Sequence, residues 1–259
     1  MKHTWSVTLL LVVLFLAAQY LGLLVYSHYA TADLPFGIER PELEPSTSFL
    51  PLFSFILLAT LLALLFARFN MIWLWKAWFF LSVVFTVLLS LAAWLPGEIA
   101  FGLAVVLALL KIVQRSPVFH NLTELLIYGG LAAIFVPILS VFSMGILLAL
   151  ISIYDYIAVR KTQHMVALAK FQTKLRTFAG LMVPYDGEIA ILGGGDIGFP
   201  LLFTGTVLAA LGLKALFLPL FSGAALLLLF FFSQKGKFYP AMPFLTLGCF
   251  VGYGVLLLF

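Results

Sequence analysis

Two aspartates stand in stretches of chain that hold almost nothing else polar: Asp155 in ISIYDYIAVRK and Asp196 in AILGGGDIGFP. A carboxylate in apolar surroundings is costly, and its presence points to a task or a partner. Two carboxylates sharing a low-dielectric site cannot both ionise easily, so one holds a proton while the other is charged. Such a pair is equipped for acid–base hydrolysis. The charged member activates a water and the protonated member polarises a carbonyl, with no covalent intermediate on the protein. A third carboxylate, Glu124, also falls in an apolar run, but Asn121-Leu122-Thr123-Glu124 reads as a capping box, with Asn121 opening a helix and Glu124 reaching back to it.

The remaining reactive side chains offer little. The single cysteine, Cys249, has no intrachain partner, and His3, His28, His120 and His164 show no paired ligand spacing. No metal and no cofactor is expected. There is no H-E-x-x-H for a zinc peptidase, and Leu220-Phe221-Ser222-Gly223 lacks the first glycine of a G-x-S-G serine site, with no histidine inside any apolar run.

The elements that must position the aspartates are membrane helices. Hydrophobic residues make up 64% of the 259 and charged residues 9%, against about 25% charged in a soluble domain. Nine apolar runs are long enough to cross a bilayer: 5–26, 49–67, 71–94, 96–113, 121–140, 143–159, 189–211, 215–233 and 240–259. The first run is too long for a signal-peptide core and no cleavage site closes it. The expected fold is an all-α integral membrane protein of nine transmembrane helices, a single domain over 1–259 with no internal repeat. It divides into helices one to six (about 5–159), a cytoplasmic basic amphipathic loop (about 160–188) and helices seven to nine (about 189–259). The formal charge of +4 is read as topology, with no nucleic-acid partner.

With the N-terminus in the cytoplasm, twelve basic residues fall inside: Lys2, Arg68, Lys76, Lys111, Arg115, Arg160, Lys161, Lys170, Lys174, Arg176, Lys235 and Lys237. Only Arg40 and Lys214 fall outside, which also places the C-terminus outside. Lys76 and Lys111 must then snorkel from within their helices. Between helices six and seven, Leu168, Phe171, Leu175, Phe178 and Met182 recur at spacings of 3, 4, 3 and 4, predicting a basic amphipathic helix on the inner leaflet.

Depth brings the two aspartates together. Asp155 is five residues before Arg160, about 7–8 Å from the cytoplasmic end of helix six, and Asp196 is eight residues into helix seven, about 12 Å from the same side. Gly193, Gly194 and Gly195 permit close backbone approach and local unwinding, and Gly194 and Gly198 form a G-x-x-x-G pair. Pro200 lacks the amide hydrogen that residue 196 would use, and irregular backbone at this depth must face protein or a watery cavity. Pro240 and Pro243 interrupt regular bonding where helix nine begins.

Tyr154-Asp155, Gly193-Gly194-Gly195-Asp196 and Pro240-Ala241-Met242 resemble the YD, GxGD and PAL motifs of the presenilin and signal peptide peptidase family, with Met242 in place of leucine. The order of the motifs and the nine spans extend the resemblance over essentially the whole chain, most like an archaeal presenilin homologue. It implies an intramembrane aspartyl endopeptidase in the cell membrane with Asp155 and Asp196 as the catalytic pair. Tyr154, Gly193, Gly194, Gly195, Pro240, Ala241 and Met242 would shape a cleft for an extended substrate backbone. The charge bias matches the presenilin orientation, so the implied partners are the bilayer and single-span membrane proteins or peptides with an outside N-terminus. The competing reading is a proton- or cation-coupled transporter, since paired acids and glycine-broken helices also make ion sites. The odd number of spans and the lack of inverted repeats weigh against it.

Overall fold

Apolar periodicity and terminal caps divide the chain into ten α-helices and one β-hairpin among the described residues, which in this computed structural model are 4–114, 116–175, 177–234 and 238–258. Six helices precede the hairpin: α1 (Trp5–Tyr29), α2 (Phe49–Arg68), α3 (Ile72–Ala92), α4 (Gly97–Val113), α5 (Pro117–Phe135) and α6 (Val141–Arg160). A shorter helix, α7 (His164–Leu175), leads into the strands β1 (Gly180–Tyr185) and β2 (Glu188–Gly193). The helices α8 (Gly194–Leu211), α9 (Leu218–Phe232) and α10 (Met242–Leu258) complete the chain. Six helical segments are long and apolar enough to cross a membrane, one of them the continuous Gly194–Phe232 that includes both α8 and α9. The shorter α4 and α10 have 17 residues each.

Helix α1 lies at the centre. Leu11, Phe15 and Ala18 are fully buried in a core shared with α5, α6, α8, α9, α10 and the hairpin. Helices α3 and α4 meet through Ala100, Ala104 and Ala108, a fully buried stripe at four-residue spacing against Val83 and Val87. Small side chains matter here because lipid supplies no hydrophobic drive between helices, and close van der Waals approach must hold them. Helix α2 is peripheral: of its residues only Ala63 is buried.

Three sequence expectations are corrected. The segment between α6 and α8 is not one amphipathic helix. Its first part is helical, but Leu168, Phe171 and Leu175 pack on Ala63 and Trp75 of α2 and α3 rather than facing lipid. Trp75 stacks edge-on with Phe171 at 5.9 Å and donates its indole hydrogen to Thr177 Oγ1 at 2.6 Å. Lys170 and Lys174 remain exposed. Phe178 and Met182 leave this pattern, and Met182 belongs to β1, because Pro184 is incompatible with a helix interior and Asp186-Gly187 supplies two positive φ angles, 45° and 77°. The antiparallel hairpin that results runs from Gly180 opposite Gly193 to Tyr185 opposite Glu188, so the fold is mostly rather than wholly helical.

Second, the helix carrying Asp196 begins at Gly194, not at residue 189, since 189–193 are extended in β2. Third, α5 begins at Pro117, capped by Ser116, whose hydroxyl accepts the Phe119 amide at 3.4 Å. Proline at the first helical position and serine before it form a stronger start signal than Asn121. Asn121 and Glu124 are therefore interior residues of α5, and His120 lies inside the helix too. Lys2, Arg115, Arg176, Lys235 and Lys237 of the predicted inside charge lie outside the described residues.

Candidate active site

Asp155 is carried by α6, whose start is set by Ser140 accepting the Ser143 amide at 3.1 Å. Its side chain sits where α10 begins. The Met242 amide, free because it is the first residue of α10, donates to Asp155 Oδ2 at 3.1 Å, and the Ala241 backbone stands beside the same carboxylate. Pro243 follows at the second helical position, where the N–H it lacks would have had no intrahelical partner. The alignment of α6 with α10 is reinforced one turn away, where Ser152 Oγ and Thr246 Oγ1 lie 2.7 Å apart.

Asp196 is the third residue of α8, behind the extended cap residue Gly193. Its carboxylate folds back over that cap toward the Gly193 backbone, at the positive end of the helix dipole. A β-carbon on Gly193 would lie 3.1 Å from Asp196 Oδ2, and one on Gly194 would lie 3.2 Å from the Ala179 carbonyl oxygen. The Gly194 amide bonds that same carbonyl at 3.0 Å, locking the foot of β1 to the start of α8. Close approach thus explains the glycine run, and it replaces the expected unwinding: the glycines join a strand to a helix. Gly198 has open space where a side chain would stand, so no helix packs on it as the G-x-x-x-G reading expected. Farther along α8, Gln19 of α1 donates to the Ile197 carbonyl at 2.9 Å, beside the turn that Pro200 interrupts.

Both aspartates line one cavity of about 650 Å³. Tyr154, Gly193, Gly194, Gly195, Ala241 and Met242 line it as well. Pro240 does not, and is buried directly before it. The Tyr154 hydroxyl and His164 Nε2 lie 2.9 Å apart in a hydrogen bond. Partial burial holds His164 below the ordinary histidine range, and its Nδ1 lies 2.6 Å from Thr162 Oγ1.

A polar cluster on α4 and α5 escaped the sequence reading. Lys111 does not snorkel: it is buried, and its Nζ lies 2.8 Å from Glu124 Oε1, 2.9 Å from Thr123 Oγ1 and 3.2 Å from the His120 carbonyl oxygen. Glu124 Oε2 accepts the Tyr128 hydroxyl at 3.1 Å, and both residues reach the cavity. On the neighbouring turn Asn121 bonds Met182 of β1 twice, donating from Nδ2 to its carbonyl at 2.8 Å and accepting its amide at 2.9 Å. His120 Nε2 lies 2.8 Å from the Gly180 carbonyl oxygen. The signals for this cluster were the four-residue spacing of His120, Glu124 and Tyr128 and a lysine just across the short α4–α5 connection.

Comparison with known proteins agrees with this arrangement. Residues 12–196 match the family model described as signal-peptide peptidase, presenilin aspartyl protease, a match that includes both Asp155 and Asp196. Two solved structures of a presenilin family intramembrane aspartate protease, in C222 and P2 space groups, superpose with TM-scores of 0.69 and 0.70 at 18% and 21% identity. They cover 97% and 96% of this chain, and the same shares of their own. No curated protein matches the sequence. The transporter reading finds no support in these comparisons. The chain belongs to the signal-peptide peptidase and presenilin aspartyl protease family, and is a multi-pass membrane hydrolase that cleaves within the membrane.

Proposed function

We propose that Asp155 and Asp196 are the acid–base pair of this protease and that they hydrolyse a peptide bond of a single-span substrate held extended beside them. The observation that carries the assignment is that both carboxylates, from α6 and α8, open onto the same cavity. One proton is shared between them. The ionised carboxylate takes a proton from water as it attacks the peptide carbon, and the protonated one donates to the carbonyl oxygen; the proton then passes to the leaving amine as the tetrahedral intermediate collapses. The Met242 amide holds the Asp155 carboxylate through a donor that cannot rotate away, and the Asp196 carboxylate lies against the start of its own helix. Tyr154, Gly194 and Gly195 line the cleft around them, and Pro240 supports it from a buried position directly before α10.

A substrate helix must unwind before water reaches its backbone, and an unwound segment needs partners for its amides. The hairpin supports a specific partner. Met182 spends both backbone groups on Asn121 and stands opposite Ile191. By the alternation of an antiparallel ladder, Ile191 and Gly193 therefore turn their backbone groups out of the hairpin. Both line the cavity, so an extended substrate pairing there lies alongside the chain that leads into Asp196.

The nine apolar helices are proposed to be nine spans of a single domain, with the N-terminus in the cytoplasm and the C-terminus outside, on the strength of the basic-residue bias. Substrates then carry their N-terminus outside. The test uses purified protein in lipid vesicles with a labelled single-span reporter, analysed by mass spectrometry beside Asp155→Ala and Asp196→Ala. A cut within the span that vanishes in both variants supports the assignment; cutting that survives either substitution ends it.

A further inference from the structure

We infer that Asn121 is a positioning residue that sets the register of the substrate strand, acting with His120 to close one edge of the hairpin so that only the β2 edge is left for pairing. This rests on the catalytic pair and the β2 edge proposed above, and it deepens that reading by naming what makes cleavage occur at one bond.

A two-stranded hairpin has two open edges, and an extended peptide pairs with either. Here the β1 edge is occupied by side chains. Asn121 presents an acceptor and a donor to Met182 at 2.9 and 2.8 Å, the pattern one residue of a neighbouring strand would offer. Two residues along the same edge, the Gly180 carbonyl meets His120 at 2.8 Å. A carbonyl accepts only, so His120 Nε2 carries the hydrogen, and Nδ1 is left to face Lys111 Nζ at 3.3 Å. Lys111 is thereby tied to the His120 ring, the His120 backbone, Thr123 and Glu124.

This cluster reaches the active site from the other end. Glu124 accepts Tyr128, and the Tyr128 hydroxyl lies 3.4 Å from the point where a side chain on Gly194 would begin. Residues 120, 124 and 128 recur at the spacing that aligns them along one face of α5. A single rigid helix thus contacts the β1 edge at one end and the first turn of α8 at the other. Helix α5 braces the hairpin against the start of α8, beside the direct Gly193–Gly194 connection and the Gly194–Ala179 bond. A strand that slips must move by two residues to keep the same side chains facing inward, so loss of this hold has a recognisable signature.

The experiment compares wild type with Asn121→Ala and Asn121→Asp in vesicles, measuring KM, kcat and the masses of all products from the single-span reporter. Leu122→Ala, on the exposed face of the same helix, controls for general weakening of α5. The expected result for Asn121→Ala is a second set of products displaced by two residues. KM rises up to about tenfold, the worth of a pair of neutral hydrogen bonds, and kcat changes less. Asn121→Asp, which keeps the acceptor and loses the donor, falls between, and Leu122→Ala cuts as wild type does. If Asn121→Ala does not fold, Asn121→Asp is judged by the same criterion. A single unchanged cut position in every folded variant at Asn121 overturns the inference, even where turnover falls. In that case loss of cutting in Asp155→Ala and Asp196→Ala would still uphold the catalytic pair, so the two readings fail separately.

Discussion

A carboxylate buried in an apolar protein is defined by the donors around it. Asp155 accepts the amide of the first residue of α10 and Asp196 lies in the first turn of α8, where unpaired N–H groups and the helix dipole favour negative charge. On the proposed sharing of one proton between the two acids, Asp155→Asn and Asp196→Asn should each lower kcat by about 10²–10⁴-fold. The double variant should be little worse than either single one, as measured in single-turnover cleavage of the reporter. Lys111 and Glu124 are a different kind of buried charge, paired at 2.8 Å and sealed from solvent. Lys111→Met leaves Glu124 without its cation and should destabilise the protein by about 3–5 kcal/mol, while the double change to Lys111→Met with Glu124→Met recovers most of the loss. Thermal denaturation in detergent checks this, and equal destabilisation of single and double variants would contradict it.

At the level of elements, the proposed active site is assembled from ends: the C-terminal end of α6, the first turn of α8 and the first residue of α10. Met242→Pro keeps a residue suited to a helix start but deletes the hydrogen that bonds Asp155. A hydrogen bond to a charged group is worth about 1.5–3 kcal/mol, so kcat should fall about 10–100-fold with KM nearly constant. Ile191→Pro tests the strand edge. Position 191 faces Met182 in a pair without ladder bonds, so proline costs the hairpin no internal bond but removes an outward N–H. KM should rise severalfold with little change in thermal stability; an unaffected KM would show that substrate does not pair there. The motif residues Asp155, Asp196 and Met242 were all legible in sequence, yet the hairpin between α7 and α8 was not. Its signal, Tyr185-Asp186-Gly187-Glu188, is a strong two-residue turn, but the run at spacings of 3 and 4 before it carries a helical period across the boundary.

For the whole molecule the basic-residue bias predicts an orientation. Cysteines introduced in a Cys249→Ala background at Glu39, in the acidic α1–α2 connection, and at Lys170, on the exposed face of α7, should react with an impermeant thiol reagent from opposite sides of a sealed vesicle. Glu39→Cys is expected to label from outside and Lys170→Cys from the cytoplasmic side. Labelling of both from one side would remove the basis for assigning single-span substrates with an outside N-terminus.

Composition and run length by themselves determined a multi-pass membrane protein built mostly of apolar helices, because the bilayer demands long segments whose backbone groups are satisfied internally. The aspartates, the glycines before Asp196 and the prolines around Met242 were likewise visible, since polar and helix-breaking residues stand out in an apolar chain. Tertiary structure alone decided what those residues touch. Lys111 and Glu124 read separately as a snorkelling cation and a helix cap; they became a buried pair because α4 and α5 lie side by side. Asn121 read as a cap and became a surrogate strand because β1 runs past it. A side chain's local grammar states which bonds it is able to make. Only the packing of distant segments settles which partner arrives to make them.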